Sequence, residues 1–140
     1  MYNSYFVNMY MILRRIGANV SSTFKEAGYD FTLEHFLVFF LLGRNKRITQ
    51  SEIAKETLRS KATITRAIDQ LVKGGFVKRR INPKDRRSVH LTLTEKGRQA
   101  CSHLMELAQK WEGEALQGIS SERLDVGIDL LKTMRRHIGY

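Results

Sequence analysis

The sequence predicts a mainly α-helical fold with one small β-hairpin, and three observations carry that prediction. Apolar residues recur at helical spacing in segments on both sides of the chain's centre. The period switches to two only once, between Val77 and Leu93. Capping residues and glycines stand where those segments should start and stop. With 140 residues, 42% hydrophobic and 27% charged, the chain is expected to form a single domain over 1–140 with its own core.

The elements follow in order. Tyr5, Phe6, Met9, Ile12, Leu13, Ile16, Val20 and Phe24 form a helical stripe that ends at Gly28 and the Tyr29-Asp30 pair. Thr32 caps a second helix over 33–42, whose body Phe36–Leu42 is apolar on every side and so predicts the buried centre; Gly43 ends it. Thr49-Gln-Ser-Glu52 fits a capping box opening a short third helix that turns Ile53 and Ala54 inward and stops near Leu58. Ser60 caps a fourth helix in which Ile64, Ala67, Ile68, Leu71 and Val72 share one face, and Gly74-Gly75 supplies a left-handed stop. Val77–Ile81 and Ser88–Leu93 read as strands joined by the polar segment 82–87. Thr94 then caps a long fifth helix over 94–117, with Cys101, Leu104, Ala108, Trp111 and Ala115 inward. After Gly118, Ser120 or Ser121 opens a last helix carrying Leu124, Ile128, Leu131, Met134 and Ile138. A short helix, a tight turn and a single-faced helix are the parts of a helix-turn-helix, and the hairpin behind them makes it winged.

Charge placement narrows the function class. The net charge is +10, yet residues 44–98 hold 16 Lys and Arg against 5 Asp and Glu, a net of +11. The remainder holds 8 against 9, a net of −1. A compact basic block flanked by neutral ends predicts a polyanionic partner, most often nucleic acid. A single cysteine excludes an internal disulfide. The longest apolar run, Phe36–Leu42, falls far short of the ~18 residues of a membrane span. The N-terminal stretch has no basic leader before its apolar residues, so a cytoplasmic location and no membrane partner are expected. No phosphate loop, metal-ligand cluster or nucleophile with a matching His and acid is legible, so neither an enzyme nor a cofactor is expected.

The fourth helix shows small and hydrogen-bonding residues opposite its apolar face. Ser60 and Lys61 suit a phosphate at the helix N-terminus. Ala62 permits close approach, and Thr63, Thr65 and Arg66 are the candidates for base or near-base contact, with Gln70 farther along the same surface. An ordinary solvated helix face is the alternative. The hairpin weighs against it, because Lys78, Arg79, Arg80, Lys84, Arg86 and Arg87 place six cations within ten residues. An arginine-bearing tip has the width and charge for a minor groove. Lys84, Asp85, Arg86 and Arg87 are therefore the candidate wing residues, with Asp85 expected to hold Arg86 or Arg87 in a bidentate pair.

From Thr49 to Gly97 the chain resembles the multiple-antibiotic-resistance regulator (MarR) family of bacterial winged-helix transcription factors. The resemblance rests on Gln50-Ser-Glu-Ile-Ala54, Thr63-Ile-Thr-Arg66, Leu71–Val77, Arg80, Asp85-Arg-Arg87 and Leu91–Gly97. The outer helices match in layout rather than in motif. The resemblance implies a homodimer joined through the N- and C-terminal helices (1–30 and 118–140), a DNA-binding lobe over 31–97, and recognition helices and wings set on a pseudo-palindromic double-stranded site. It implies a repressor that binds promoter DNA, and in many members release by a small phenolic or lipophilic ligand. Val7, Tyr10 and Met11, apolar beyond the main stripe of the first helix, agree with dimerisation. Two-fold symmetry would set the recognition helices about 34–36 Å apart. A winged helix used for protein contact, or as a non-specific nucleic-acid coat, is the competing reading.

The chain departs from the family pattern at Leu58-Arg59, where many members carry Gly and an apolar residue. Leucine is poor at positive φ, so a differently built turn is expected there. Among sensing devices, Cys101 lies on an inward stripe and reads as structural. Glu34, His35 and His103 lack the paired histidines of zinc-sensing members, since Gln99 and Leu107 flank His103 at four residues. His35 reads instead as an early-helix residue with a local hydrogen bond. Phe24, Tyr29, Phe36, Phe39, Phe40 and Trp111, with Arg14 or Arg15 as an anion anchor, are candidates to line a site for a small aromatic or lipophilic effector. Core packing explains the same aromatics.

Overall fold

The structure is a computed structural model that describes residues 3–44 and 47–139. Its elements are α1 (Tyr5–Glu26), α2 (Leu33–Arg44), β1 (Ile48–Thr49), α3 (Gln50–Thr57), α4 (Lys61–Lys73), β2 (Val77–Asn82), β3 (Asp85–Leu93), α5 (Glu95–Ala115) and α6 (Ser121–His137). The described residues fall into two compact units, one ending at Ala108 and one beginning at Gln109. No described helix is long and apolar enough to cross a membrane.

The core of the first unit is built where the apolar faces meet. Val38, Phe39 and Leu42 of α2 are buried with Ile53 of α3, Ile64, Ile68 and Leu71 of α4, Leu91 of β3 and Leu104 of α5. Val20 and Phe24 close it from α1. The expectation for α2 holds in its centre but not all round: Phe40 is exposed, with the Arg44 guanidinium 5.4 Å from its ring centroid. Gly43 does not end this helix, which runs on to Arg44. The candidate effector aromatics mostly pack on one another, with Phe24 and Phe39 inside the core and the Phe24 and Phe36 ring centroids 5.6 Å apart.

Local signals set the element ends. Thr49 forms the full capping box with Glu52: its hydroxyl accepts the Glu52 N–H at 3.2 Å, and the carboxylate accepts the Thr49 N–H at 2.7 Å. The Thr49 N–H, and the Thr49 hydroxyl that donates to the same carboxylate at 2.8 Å, hold the Glu52 carboxyl below the usual carboxylate range. Ser60 caps α4 by accepting the Thr63 N–H at 3.1 Å. Gly75, at φ +77°, is the left-handed residue that ends α4. Lys96 reaches back from α5 to donate to the Gly74 carbonyl at 2.8 Å, placing a cation at the negative end of α4.

Leu58 corrects the expected turn. Instead of a differently built connection, leucine itself takes the left-handed conformation, φ 51° and ψ 31°, between α3 and α4. Arg59 then pairs with Glu34 of α2 at 3.4 Å. A left-handed non-glycine residue costs roughly 1–2 kcal/mol, and this side chain, 69% exposed, recovers little by burial. Glycine removes that strain but adds freedom to the unfolded chain worth about 0.5–1 kcal/mol. Leu58→Gly is therefore expected to stabilise the protein by about 0.5 kcal/mol, read as a rise in the urea midpoint at constant m-value; a fall would show that the leucine side chain contributes more than the strain costs.

The sheet also differs from the expected hairpin. It has three antiparallel strands in the order β1-β3-β2, because Ile48 pairs with Leu91 and Thr49 with His90. Two residues are too few to show alternation, so β1 left no periodic signal. The hairpin strands run farther toward the tip than expected, leaving Pro83-Lys84 as the turn. Its register jumps from Ile81↔Val89 to Asn82↔Asp85, so Arg86, Arg87 and Ser88 bulge from β3 without cross-strand partners on β2.

In α5, Gly97, Ala100, Cys101 and Leu104 are buried, while Ala115 of the expected inward stripe is exposed. The second unit consists of the end of α5 and α6, and no described residue of α6 is buried. Ser120 precedes α6 in an extended conformation but makes no side-chain cap bond. Val126, Ile128, Leu130, Leu131 and Ile138 are all exposed. The N-terminal half of α1 is similarly bare: Tyr5, Phe6, Tyr10, Met11, Ile12 and Leu13 are exposed, so much of the predicted stripe is not buried among the described residues.

Candidate nucleic-acid interface

The interface is organised by α4. Ile64, Ala67, Ile68 and Leu71 bury one face, which leaves the opposite face outward along the whole helix. Ala62, Thr65, Arg66, Asp69, Gln70 and Lys73 line one shallow groove along it. Lys61 and Ala62 are exposed, and Thr63 and Thr65 are half-buried. Arg66 is exposed, and its guanidinium makes no hydrogen bond or ion pair among the described residues.

Several of the predicted site residues carry bonds of their own. The Ser60 hydroxyl, besides its capping bond, lies 2.8 Å from the Thr63 hydroxyl. The Thr65 hydroxyl donates to the Lys61 carbonyl at 2.7 Å and accepts from the Gln50 side-chain amide of α3. Its single proton is thus already committed, and Thr65 offers a partner its methyl group and remaining lone-pair capacity. Gln70 bonds backward: its Oε1 lies 2.7 Å from Nε2 of His35 on α2. Gln50 and His35 were missed as interface supports because they sit 15 and 35 residues from the side chains they hold. No helical spacing reaches across separate elements.

His35 is buried, 5% exposed. Its Nδ1 accepts the Thr32 backbone N–H at 3.0 Å, with the Thr32 hydroxyl at the same distance. This is the local hydrogen bond expected of an early-helix residue. Burial pushes its pKa below the ordinary 6.5, against the opposing pull of Gln70, Glu34 and Asp30. The unfolded chain therefore takes up this proton first as pH falls, and the folded state loses stability below about pH 6.5 until the folded ring also titrates. The urea midpoint is expected to fall between pH 7 and pH 5, with a shallower fall in His35→Gln; equal slopes would assign the loss to other groups.

The wing is held to α4 by Arg79, which pairs with Asp69 at 2.5 Å. Asp85 corrects one expectation. It makes no bidentate pair with an arginine; its Oδ1 accepts the Arg87 backbone N–H at 3.0 Å, and Asn82 accepts the Lys84 N–H in the same way. Short side chains two residues from the amides they accept favour these local turns over a reach to a guanidinium. The charges of Lys84, Arg86 and Arg87 consequently have no protein partner among the described residues, and all three side chains are exposed. On β3, the buried Nδ1 of His90 and the buried Thr92 hydroxyl have no hydrogen-bond partner among the described residues.

Neither candidate sensing histidine is free. His35 is spent on Thr32 and Gln70, and Nδ1 of His103 lies 3.3 Å from the Tyr29 hydroxyl. Among the described residues, no three His, Cys, Asp or Glu side chains group so as to hold a metal ion. Cys101 is buried with its Sγ 3.5 Å from the Phe39 carbonyl, and burial pushes its thiol pKa up, away from the reactive thiolate.

Comparison with known proteins gives one consistent answer. Residues 31–89 match the model of the MarR family. The chain is 30% identical to the uncharacterized HTH-type transcriptional regulator YkoM of Bacillus subtilis (strain 168), over 94% of this chain and 86% of that protein. It is 26% identical to the HTH-type transcriptional regulator BilQ of Clostridium symbiosum (strain WAL-14163), over 84% of this chain and 83% of that protein. The crystal structure of the transcriptional regulator SlyA superposes with a TM-score of 0.86 at 26% identity, covering 95% of this chain and 92% of that one. These relatives are transcriptional regulators, not enzymes.

Proposed function

The chain belongs to the MarR family of DNA-binding transcriptional regulators, and from that premise we propose that it is a homodimeric, sequence-specific repressor of promoter DNA. One observation carries the reading. The outer face of α4 and the bulged wing together present Lys61, Arg66, Lys84, Arg86 and Arg87, none of which makes an ion pair among the described residues. Idle surface cations are usually dispersed among acids, whereas these sit on two elements of the shape that enters DNA grooves.

In this reading α4 lies in a major groove. Ala62 allows close approach, Thr63, Thr65 and Arg66 face base edges, and Ser60 and Lys61 meet a phosphate at the helix N-terminus. The wing places Arg86 and Arg87 in the flanking minor groove, with Lys84 on the backbone and Asp85 shaping the turn. Exposed apolar faces on α1 and α6 support pairing of two copies through residues 1–30 and 118–140, since each is an apolar surface that a solvated monomer would not keep bare. Two copies give a pseudo-palindromic site, and a regulator acting on promoters works in the cytoplasm. Release by a small aromatic or lipophilic ligand is part of the proposal only through the family. Sedimentation equilibrium at micromolar concentration tests the assembly: twice the chain mass supports it, and a monomer would remove the two-fold site.

A further inference from the structure

The pairing of His35 with Gln70 has a consequence for how the interface reads DNA, and it rests on the DNA-binding reading above. A backbone N–H can only donate. The Thr32 N–H pointing at Nδ1 of His35 therefore requires a lone pair there. The ring is buried and its neutral form is favoured, so the one ring proton sits on Nε2. Nε2–H then donates to the atom 2.7 Å away, and that atom must be the amide oxygen of Gln70. The chain of donors allows one orientation of this amide only. The NH2 group of Gln70 is left without a partner among the described residues, in the groove it shares with Ala62 and Arg66.

We propose that His35 is a positioning residue for DNA recognition: it locks Gln70 into a donor-only orientation, so that Gln70 meets a hydrogen-bond acceptor on DNA. A free glutamine presents donor and acceptor together and pairs naturally with the N6 and N7 of adenine. A glutamine whose oxygen is spent behind it selects an acceptor, either a purine N7 or O6, a thymine O4, or a phosphate oxygen. A residue buried under the helix thereby sets what the surface can read. The bonds between Thr32 and His35 are made within the protein, so the lock exists before DNA arrives.

The test is a double-mutant cycle on affinity for a preferred duplex. Gln70→Ala is expected to lose about fivefold for each protomer, the worth of one neutral hydrogen bond, and so about 25-fold for the dimer. His35→Leu, which removes the donor, is expected to lose a similar factor, and the double variant is expected to be no weaker than Gln70→Ala. His35→Gln keeps a donor toward residue 70 and is expected to recover most of the affinity. If His35 acted only by supporting the fold, His35→Leu would weaken binding equally with glutamine or alanine at position 70, and that result overturns the proposal. Unchanged binding by Gln70→Ala overturns it as well, while leaving the DNA-binding reading intact. A wild-type protein with no duplex preference would instead overturn both. Loss of preference at one base pair in Gln70→Ala would assign the acceptor to a base, and a uniform loss across sequences to a phosphate. Should His35→Leu fail to fold, the ring nitrogens of the wild-type protein decide the matter by 15N NMR: a protonated Nε2 supports the lock, and a protonated Nδ1 overturns it.

Discussion

Arg86→Ala combined with Arg87→Ala is expected to weaken binding to a specific duplex by ~100-fold or more at near-physiological salt, with little change in folding stability. Both side chains are exposed, and neither guanidinium makes a hydrogen bond or ion pair among the described residues. Their removal breaks nothing in the protein, and substitutions at such positions stay within about 0.5 kcal/mol of wild-type stability. The loss on DNA is large because a charged hydrogen bond is worth about 1.5–3 kcal/mol and a dimer forfeits four such arginines. The dependence of log affinity on log salt should also flatten, by about 0.9 for each phosphate charge no longer neutralised. Fluorescence anisotropy over a salt series checks both. Undiminished affinity in the double variant would remove the wing from the interface.

The second large effect concerns folding. Gly97→Ala is expected to destabilise the protein by about 3 kcal/mol. Helix propensity alone predicts the opposite, a gain of about 1 kcal/mol, because Gly97 lies inside α5. Space decides against propensity. A Cβ on Gly97 would stand 1.9 Å from the Phe76 carbonyl oxygen and 2.9 Å from its carbon. That carbonyl cannot swing aside, since it accepts the Thr94 N–H at 3.0 Å and lies 3.2 Å from the Thr94 hydroxyl. The Phe76 N–H in turn holds the Leu71 carbonyl of α4 at 2.9 Å. One joint thus fastens the end of α4, the start of β2 and the start of α5, and an added methyl must part them. Urea denaturation of Gly97→Ala measures the result, and a stabilised variant would show that the joint is looser than its geometry.

The joint also shows where sequence reading succeeds and where it stops. Thr94 and Gly75 were legible as a cap and a left-handed stop because each acts on residues a few positions away. The reason for Gly97 was not, since its neighbour Phe76 is 21 positions earlier and belongs to another element. The same limit separates Thr49 from Gln50. The capping box is local and plain in the sequence, whereas the amide of Gln50 that holds Thr65 crosses between helices. Leu58 failed for a different reason. Propensity argued against a left-handed leucine, but the packing of α3 and α4 against the core outweighs strain of roughly 1–2 kcal/mol. Asp85 was assigned to a guanidinium on charge alone, and the nearer backbone N–H of Arg87 won.

The residues proposed for the interface could be named from the sequence, but their hydrogen-bonding state could not. Ser60, Lys61, Ala62, Thr63, Thr65, Arg66 and Gln70 do lie on or at the start of α4, and Lys84 through Arg87 lie at the wing tip. Which of their polar atoms are free follows only from the fold. The free set is narrower than the list, chiefly the cations and the NH2 group of Gln70, because Ser60, Thr63 and Thr65 are bonded within the protein. In the proposed complex, specific reading of DNA would rest on Arg66 and Gln70, with the threonines supplying shape and methyl contact.

Dimeric, sequence-specific recognition of DNA is decided by selection of bound duplexes from a random-sequence pool at near-physiological salt. Enrichment of an inverted repeat whose half-sites lie one helical turn apart, about 34–36 Å between centres, is expected. A pool that stays random, with binding that disappears as salt rises, would contradict it and leave a basic domain that coats nucleic acid without reading it.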